Sequence, residues 1–298
     1  MSFFNNLIVS TVQAMPKPIV GFFSKKYIAG DYLDEAIDVV KEFNSKNILA
    51  TMDVLGESVT NKSEVEEAKK QFLDVLDGIN DNKLNANISV KPSQMGILLD
   101  RQYGVNTIKD LVARAAGYNN FVRIDMEDAT TTDLTFELLA ELKKEYSNVG
   151  VVVQACLKRT YDDVVLLNKA GTNYRLCKGI YNESPAIAYK GKQQIRDNYM
   201  KILELMLKNG NYVGIATHDE YLINKAKELI EKLNIPRDKF EFQMLLGVRA
   251  DLRNKINKEG YKIRIYVPYG IDWYPYSIRR LKENPQMAGH IFKALFGF

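Results

Sequence analysis

Three consecutive stretches decide the fold: FVRIDMED (121–128), DLTFELLAELKKEY (133–146) and VGVVVQACLKR (149–159). The first and third are short runs rich in Val and Ile with polar residues after them, which is typical of strands buried on both faces. The middle stretch carries apolar residues at helical spacing, with charged residues between them. A strand, a helix and a second strand in this order predict a parallel βαβ unit.

The same alternation extends in both directions along the chain. Further strands are predicted in NILATMDVLGE (47–57), ANISVKPSQMG (86–96), NYRLCKGIY (173–181), YVGIATHD (212–219), FEFQMLLG (240–247) and IRIYVPYG (263–270). Helical patterns lie at 63–79, 106–117, 161–170, 191–209, 221–233, 248–260 and 272–285, the first opening with a capping-box pattern at 63–66. About eight strand–helix units predict an α/β protein, a distorted (β/α)8 TIM-like barrel with extra N-terminal helices. An open, doubly wound sheet is the alternative, because the sequence does not give the strand order.

The composition is that of an ordinary globular protein. Of 298 residues, 46% are hydrophobic and 26% are charged, which excludes a disordered, collagen-like or coiled-coil chain. The 41 Lys and Arg against 37 Asp and Glu leave a net charge of +4, too small to indicate a nucleic-acid partner. The two cysteines, Cys156 and Cys177, indicate a reducing compartment rather than a disulfide framework. We therefore expect a cytoplasmic protein.

No stretch is long enough to span a bilayer, and residues 1–30 read poorly as a signal peptide because no basic residue precedes Lys17. We expect this segment to pack on the domain as an amphipathic element, with a role at a membrane surface as the alternative.

Chemistry in a barrel lies at the C-terminal ends of the strands, and nearly every predicted strand ends in polar side chains. They are Glu57, Lys91, Asp125, Glu127, Gln154, Arg175, Lys178, Thr217, His218, Gln243 and Tyr266, with Arg279, Arg280 and Glu283 on the last predicted helix near the same rim. Buried charges must be paired or bound to something charged, and adjacent arginines form a fork for a carboxylate or phosphate. The pattern predicts a pocket for an anionic substrate, an anionic cofactor, or both.

The sequence gives little support for metal chemistry, and we predict no metal site. The two histidines, His218 and His290, are far apart, and the cysteines lack ligand spacing. There is no dinucleotide fingerprint, P-loop or nucleophile elbow. Two routes to difficult chemistry stay open at this point: a bound organic cofactor, or a Schiff-base lysine at Lys178 or Lys91 acting as an aldolase or lyase.

Several motifs, in this order along the chain, resemble the proline dehydrogenase family. They are DVLGE (53–57), RIDMED (123–128), VVVQACLKR (151–159), RLCKGIY (175–181), ATHD (216–219), FEFQMLLG (240–247), YVPYG (266–270) and RRLKENP (279–285). The resemblance implies a monofunctional, bacterial-type enzyme that oxidises L-proline to 1-pyrroline-5-carboxylate with non-covalent FAD. It implies residues 1–45 as an N-terminal helical segment and residues 46–298 as the catalytic barrel.

The resemblance also implies roles for individual residues. Asp125 and Arg175 are the expected catalytic residues, with Arg175 reaching flavin N5. Arg279, Arg280 and Lys91 would hold the proline carboxylate, Tyr181, Leu245 and Tyr266 would surround its ring, and Glu57 would close the site. FAD would be lined by Met126, Gln154, Arg175, Cys177, Lys178, Gly179, Ile180, Thr217, His218 and Glu283.

The family resemblance further implies a membrane quinone as electron acceptor. It fits a cytoplasmic protein that associates transiently with the inner face of the membrane, through residues 1–30 or 290–298. The oligomeric state is not encoded in any pattern of the sequence.

Overall fold

The computed structural model describes residues 26–56, 59–274 and 276–277. Within them, eight parallel strands close into one barrel in chain order. The strands are β1 Leu49–Val54, β2 Ala86–Val90, β3 Val122–Ile124, β4 Val149–Gln154, β5 Tyr174–Cys177, β6 Val213–Ala216, β7 Phe240–Leu245 and β8 Ile263–Tyr269.

The closed barrel confirms the fold prediction, and the open doubly wound sheet is wrong. An open sheet would leave its two outer strands unpaired along one side. Here β1 pairs in parallel with β2 on one side and with β8 on the other, from Leu49 opposite Arg264 to Val54 opposite Tyr269. Ring closure brings all eight C-terminal strand ends to one rim.

Helices alternate with the strands around the described barrel. They are α1 Leu33–Asn44, α2 Lys62–Asp81, α3 Arg101–Gly117, α4 Thr132–Leu142, α5 Thr160–Leu167, α6 Lys192–Lys208, α7 Glu220–Lys232 and α8 Ala250–Lys258, with 3-10 turns at Ala129–Thr131 and Asn168–Ala170. The helix predicted at 272–285 and most of the N-terminal segment lie outside the described residues. The part of that segment that is described, α1 and the loop before it, packs against β1 and β8, and the Ala29 N–H donates to the Pro268 carbonyl at 2.9 Å.

The predicted capping box at 63–66 is wrong by two residues. Asn61 is the N-cap of α2, and its side chain accepts from the Glu64 N–H at 3.1 Å. The Glu64 carboxylate in turn accepts from the Thr60 N–H at 2.6 Å. Asn61 and Glu64 therefore cap α2 together, since Asn61 Nδ2 also donates to the Glu64 carboxylate at 2.9 Å and an asparagine caps a helix about as well as a serine. Similarly, α3 begins at Arg101 rather than 106, since Asp100 caps it by accepting from the Tyr103 N–H.

The barrel is apolar outside and polar inside. Helix residues at helical spacing, such as Val65, Phe72, Leu76 and Ile79 of α2, are buried against the outer surface of the strands. The interior instead holds charged side chains in two groups, one towards the N-terminal ends of the strands and one at their C-terminal ends. Such groups need mutual partners to be stable out of water. No helix among the described residues is long and apolar enough to cross a membrane.

Candidate active site

Asp125 and Arg175 form a largely buried ion pair at the C-terminal rim. Asp125 directly follows β3, where its N–H donates to the Val90 carbonyl at 2.9 Å, and Arg175 lies in β5. Arg175 Nη1 is 2.8 Å from Asp125 Oδ1, and the side chain of Arg175 is 7% exposed and that of Asp125 is 15% exposed. An ion pair this far out of water needs further hydrogen bonds to be stable.

Neighbouring strands supply those hydrogen bonds. Ser89 Oγ donates to Asp125 Oδ1 at 2.6 Å, and the Tyr266 phenol donates to Asp125 Oδ2 at 3.1 Å. Arg175 Nε donates to Gln243 Oε1 at 2.6 Å, and its guanidinium lies 5.4 Å from the centre of the Tyr266 ring. Burial and the nearby Asp125 charge raise the pKa of Tyr266 well above its usual range, so the phenol keeps the proton it donates. The network holds Arg175 in one orientation.

Lys91 and Asp53 form a second ion pair beside the first. Lys91 Nζ lies 2.9 Å and 3.0 Å from the two carboxylate oxygens of Asp53, which is 1% exposed against 21% for Lys91. Burial opposes the charge on Lys91, but Asp53 and Asp125 outweigh it and raise the pKa of Lys91. Lys91 is therefore a cation at neutral pH. Sequence reasoning missed Asp53, although a carboxylate inside the apolar strand LATMDV is a signal that could have found it.

The ends of β4 and β5 approach each other closely at Gly179. Gly179 has a φ of +95°, and a Cβ at that position would lie 2.2 Å from Cys156 Sγ, so only glycine fits. Gln154 Nε2 donates to the Glu127 carbonyl at 2.7 Å, which ties β4 to the loop after β3. Burial raises the pKa of the Cys177 thiol to about 11, so it is neutral and behaves as a small packing side chain.

Two cations share one carboxylate at the ends of β5 and β6. Asp219 accepts from Arg196 Nη2 at 2.7 Å and Nε at 2.9 Å, and Lys178 Nζ lies 3.5 Å from it. Burial alone would raise the pKa of Asp219, but Arg196 and Lys178 outweigh it and lower that pKa. This group of three carries a net positive charge at the rim. Arg196 was also missed, because it lies in α6, away from any strand end, and only packing brings it here.

Thr217 and His218 lie at the end of β6. Thr217 Oγ1 accepts from the Asp219 N–H at 3.1 Å, and His218 Nε2 accepts from the Leu245 N–H at 2.9 Å. With Nε2 as acceptor, the neutral His218 ring carries its proton on Nδ1. Both side chains are therefore oriented by the backbone.

Four apolar or aromatic candidates also lie at this rim, after β3, β5 and at the end of β7. Met126 is buried, Tyr181 and Leu245 are half-buried, and Ile180 is 51% exposed. They add apolar and aromatic surface beside the charged network.

The remaining candidates, Glu57, Arg279, Arg280 and Glu283, lie outside the described residues. The arginine clamp and the gate are therefore still predictions from the sequence. The structure brings Lys91, Asp125, Arg175 and Tyr266 to one rim. Within the described ranges, no group of three or more His, Cys, Asp and Glu side chains could hold a metal ion.

A closed parallel barrel with a connected charged network at the C-terminal ends of its strands defines an enzyme of the TIM-barrel class. The chain belongs to the proline dehydrogenase family: the family described as "Proline dehydrogenase" matches residues 36–292. It is accordingly an oxidoreductase, with proline as the substrate that the family implies.

Curated relatives cover nearly the whole chain. "Proline dehydrogenase 1" of Bacillus subtilis is 34% identical over 272 residues, covering 91% of this chain and 90% of the relative. "Proline dehydrogenase 2" of the same organism is 36% identical over 270 residues, covering 91% and 89%. The "Proline dehydrogenase" of Deinococcus radiodurans is 33% identical over 277 residues, again covering 91% and 89%.

A solved structure has a similar fold over most of this chain. Proline utilization A from Bdellovibrio bacteriovorus, inactivated by N-propargylglycine, superposes with a TM-score of 0.82 at 25% identity and covers 88% of this chain. The match covers 32% of that protein, so this chain spans about a third of its length.

Proposed function

We propose that this chain oxidises L-proline to 1-pyrroline-5-carboxylate with FAD, the first step of proline degradation to glutamate, and passes the electrons to a membrane quinone. The observation that carries the proposal is the buried Asp125–Arg175 pair, tied to Tyr266 and lying beside Lys91 at the rim. A preorganised set of charges at strand ends suits an ionic substrate that must be held in one pose.

The residues at the ends of β4, β5 and β6 have a chemistry that fits FAD. These strands are neighbours in the ring, so Gln154, Lys178, Thr217 and His218 form one continuous arc of amide, ammonium, hydroxyl and imidazole groups. The net positive charge of Lys178 and Arg196 over Asp219 suits a pyrophosphate, and the exposed Ile180 side chain suits the face of a flavin ring. When bound, FAD supplies the two-electron acceptor that takes a hydride from the proline ring.

Lys91 would bind the proline carboxylate. Its ammonium is held by Asp53, and its 21% exposure leaves part of it reachable from the rim. Arg279 and Arg280 would complete this clamp, as the family resemblance implies. The half-buried Tyr181, Leu245 and Tyr266 would enclose the apolar ring carbons.

Asp125 and Arg175 would set the charge around the reacting bond. Oxidation forms a carbon–nitrogen double bond, so the proline amine must give up its proton and the adjacent carbon its hydride. Arg175, oriented by Gln243 and Asp125, would stabilise negative charge that develops on the acceptor. The protonated Tyr266 orients Asp125 from the opposite side.

The structure disfavours the lysine-based alternative. A Schiff-base lysine needs a lowered pKa to be a nucleophile at neutral pH, whereas the pKa of Lys91 is raised by Asp53 and Asp125 over the opposing effect of burial. Lys178 is 40% exposed and faces Asp219. Neither lysine lies in the apolar surroundings that such chemistry uses.

The same proposal includes a boundary between an N-terminal segment, residues 1–45, and the catalytic barrel, residues 46–298. It also includes a cytoplasmic location and transient association with the inner face of the membrane. A quinone acceptor is lipid-soluble, so a protein that reduces it must reach the membrane surface.

The test is an absorption spectrum of the purified protein, followed by addition of L-proline without oxygen. We expect visible flavin bands that bleach with L-proline and not with glycine. The Lys91→Met variant should retain the bands and require about 10- to 100-fold more proline for half-maximal bleaching, as expected for loss of a charged hydrogen bond.

Lys258→Met is the matched control, because Lys258 is exposed at the end of α8, away from the catalytic rim. It should bleach at the same proline concentration as the unmodified protein. A protein that binds no flavin when FAD is supplied would overturn the proposal.

A further inference from the structure

A cavity of about 580 Å³ opens at the N-terminal mouth of the barrel, at the opposite end from the candidate active site. Its floor holds the buried Arg123 and Glu241 and the half-buried Arg264, and its rim includes Lys83, Asn119 and Asn120. This volume is within the range of about 300–1,000 Å³ that holds small molecules. The proline dehydrogenase chemistry proposed above makes no use of this end.

Glu241 and Arg264 neutralise each other. Arg264 Nε lies 2.6 Å from Glu241 Oε1, and its Nη2 lies 3.1 Å from Oε2. Glu241 also accepts from the Tyr212 phenol at 2.8 Å and from Gln243 Nε2 at 2.6 Å. The carboxylate is therefore fully hydrogen-bonded, and its direct ion pair is with Arg264 rather than with Arg123.

Arg123 is the buried cation without a matching anion. It is 3% exposed, and no carboxylate within the described residues pairs with it. Its Nη1 donates to the carbonyls of Val151 at 3.1 Å and Asn173 at 2.7 Å, and its Nη2 donates to the Asn173 side-chain oxygen. Only its Nε has no acceptor among the described residues. Burial and the neighbouring charge of Arg175 lower the pKa of Arg123 to about 9. Binding of an anion beside the Arg123 guanidinium would therefore stabilise this buried charge strongly.

The residues around Arg123 favour the binding of such an anion in the cavity. The Phe121 ring lies half-buried at the cavity wall, with its centre 4.8 Å from the Arg123 guanidinium. Lys83 stands exposed at the rim and adds a second positive charge. The lining residues together carry three cations, Lys83, Arg123 and Arg264, against the single carboxylate of Glu241.

We propose that the N-terminal mouth of the barrel is a binding site for a small oxyanion, a carboxylate or a phosphate, with Arg123 as its main ligand and Lys83 at its entrance. The oxyanion accepts from the Nε edge of Arg123 and balances its charge. The site lies at the opposite end of the barrel from the proline chemistry, and Gln243 links the two ends by hydrogen bonds to Glu241 and Arg175.

Titration calorimetry of the full chain tests the site, with inorganic phosphate and acetate as separate probes. Ionic strength is held constant with potassium chloride, so that general screening does not count as binding. We expect saturable binding of at least one probe to one site per chain. Phosphate alone would indicate a phosphorylated ligand, and acetate alone a carboxylic acid.

The variants locate the site. Arg123→Gln should weaken binding at least about 10-fold, and Lys83→Gln about 2- to 5-fold, as expected for a buried and a solvent-screened charge. Lys232→Gln is the matched control, because Lys232 is exposed at the end of α7 and does not line the cavity. It should bind as the unmodified chain does.

The exposed Lys83→Gln variant keeps the test valid if Arg123→Gln does not fold. The proposal is overturned if neither probe binds, which would mean that water alone fills the cavity. It is equally overturned if Lys83→Gln and Lys232→Gln bind with the same affinity as the unmodified chain.

Discussion

Removing Lys91, the cation of the Lys91–Asp53 pair, should cost more stability than removing both charges. Asp53 is 1% exposed, so Lys91→Met leaves a fully buried carboxylate without its cation, at a cost of about 3–5 kcal/mol. Lys91 keeps 21% of its exposure and also faces Asp125, so Asp53→Asn should cost only about 1–3 kcal/mol. The two single variants are therefore expected to differ.

The double variant Asp53→Asn, Lys91→Met removes both charges. Its cost should be about 1–3 kcal/mol, for an amide that replaces a carboxylate in the barrel interior. The sum of the single effects is about 4–8 kcal/mol, so the double-mutant cycle should show a coupling of roughly 3 kcal/mol or more.

Urea unfolding, followed by both far-UV circular dichroism and tryptophan fluorescence, measures these free energies. Coincident transitions by the two probes license the two-state analysis that the cycle requires. Lys258→Met, at an exposed position on α8, should stay within about 0.5 kcal/mol of the unmodified protein.

A double variant as unstable as the sum of its single variants would refute the reasoning, because it would show that the two charges do not compensate each other. Equal costs for Lys91→Met and Asp53→Asn would refute the assigned difference in burial.

Three further predictions concern single side chains. Tyr266→Phe removes the donor to Asp125 Oδ2 and should cost about 1–3 kcal/mol in urea unfolding. Burial raises the pKa of Cys177 to about 11, so only about 0.1% of it should be thiolate at pH 8. It should resist iodoacetamide at pH 8, and mass spectrometry should show alkylation only as the pH approaches 11. Rapid alkylation at pH 8 would contradict the burial of this thiol. In thermal melts, Asn61→Ala should destabilise the protein by about 1 kcal/mol through the loss of the α2 cap, while Ser63→Ala should change its stability little. If Ser63→Ala were the more destabilising variant, Ser63 would be the N-cap, as the sequence predicted.

The described part of the fold was predictable in outline because its information is local. Each strand and helix is encoded by its own pattern of apolar residues, and eight alternating units leave few arrangements besides a closed barrel. Helix ends were less accurate. Asn61 and Ser63 are both good caps, and only the backbone conformation decides which of them starts α2.

The C-terminal rim was predictable for a related reason. Lys91, Asp125, Arg175 and Tyr266 lie at or near the ends of different strands, and a parallel barrel places all those ends on one rim. The pattern predicts that such residues share a pocket. It does not predict which of them touch.

Only the tertiary structure decided which charged side chains pair with each other. Asp53 pairs with Lys91 across two strands, and Arg196 reaches Asp219 from a helix 23 positions earlier in the chain. Among the residues that the structure describes, Glu241 pairs with Arg264 and no carboxylate forms an ion pair with Arg123. The electrostatic environment of a side chain depends on its burial and on neighbours that are distant in sequence. The sequence by itself therefore determined the barrel and the residues at its rim. Packing determined which of the charged side chains form ion pairs and which are left to bind a ligand.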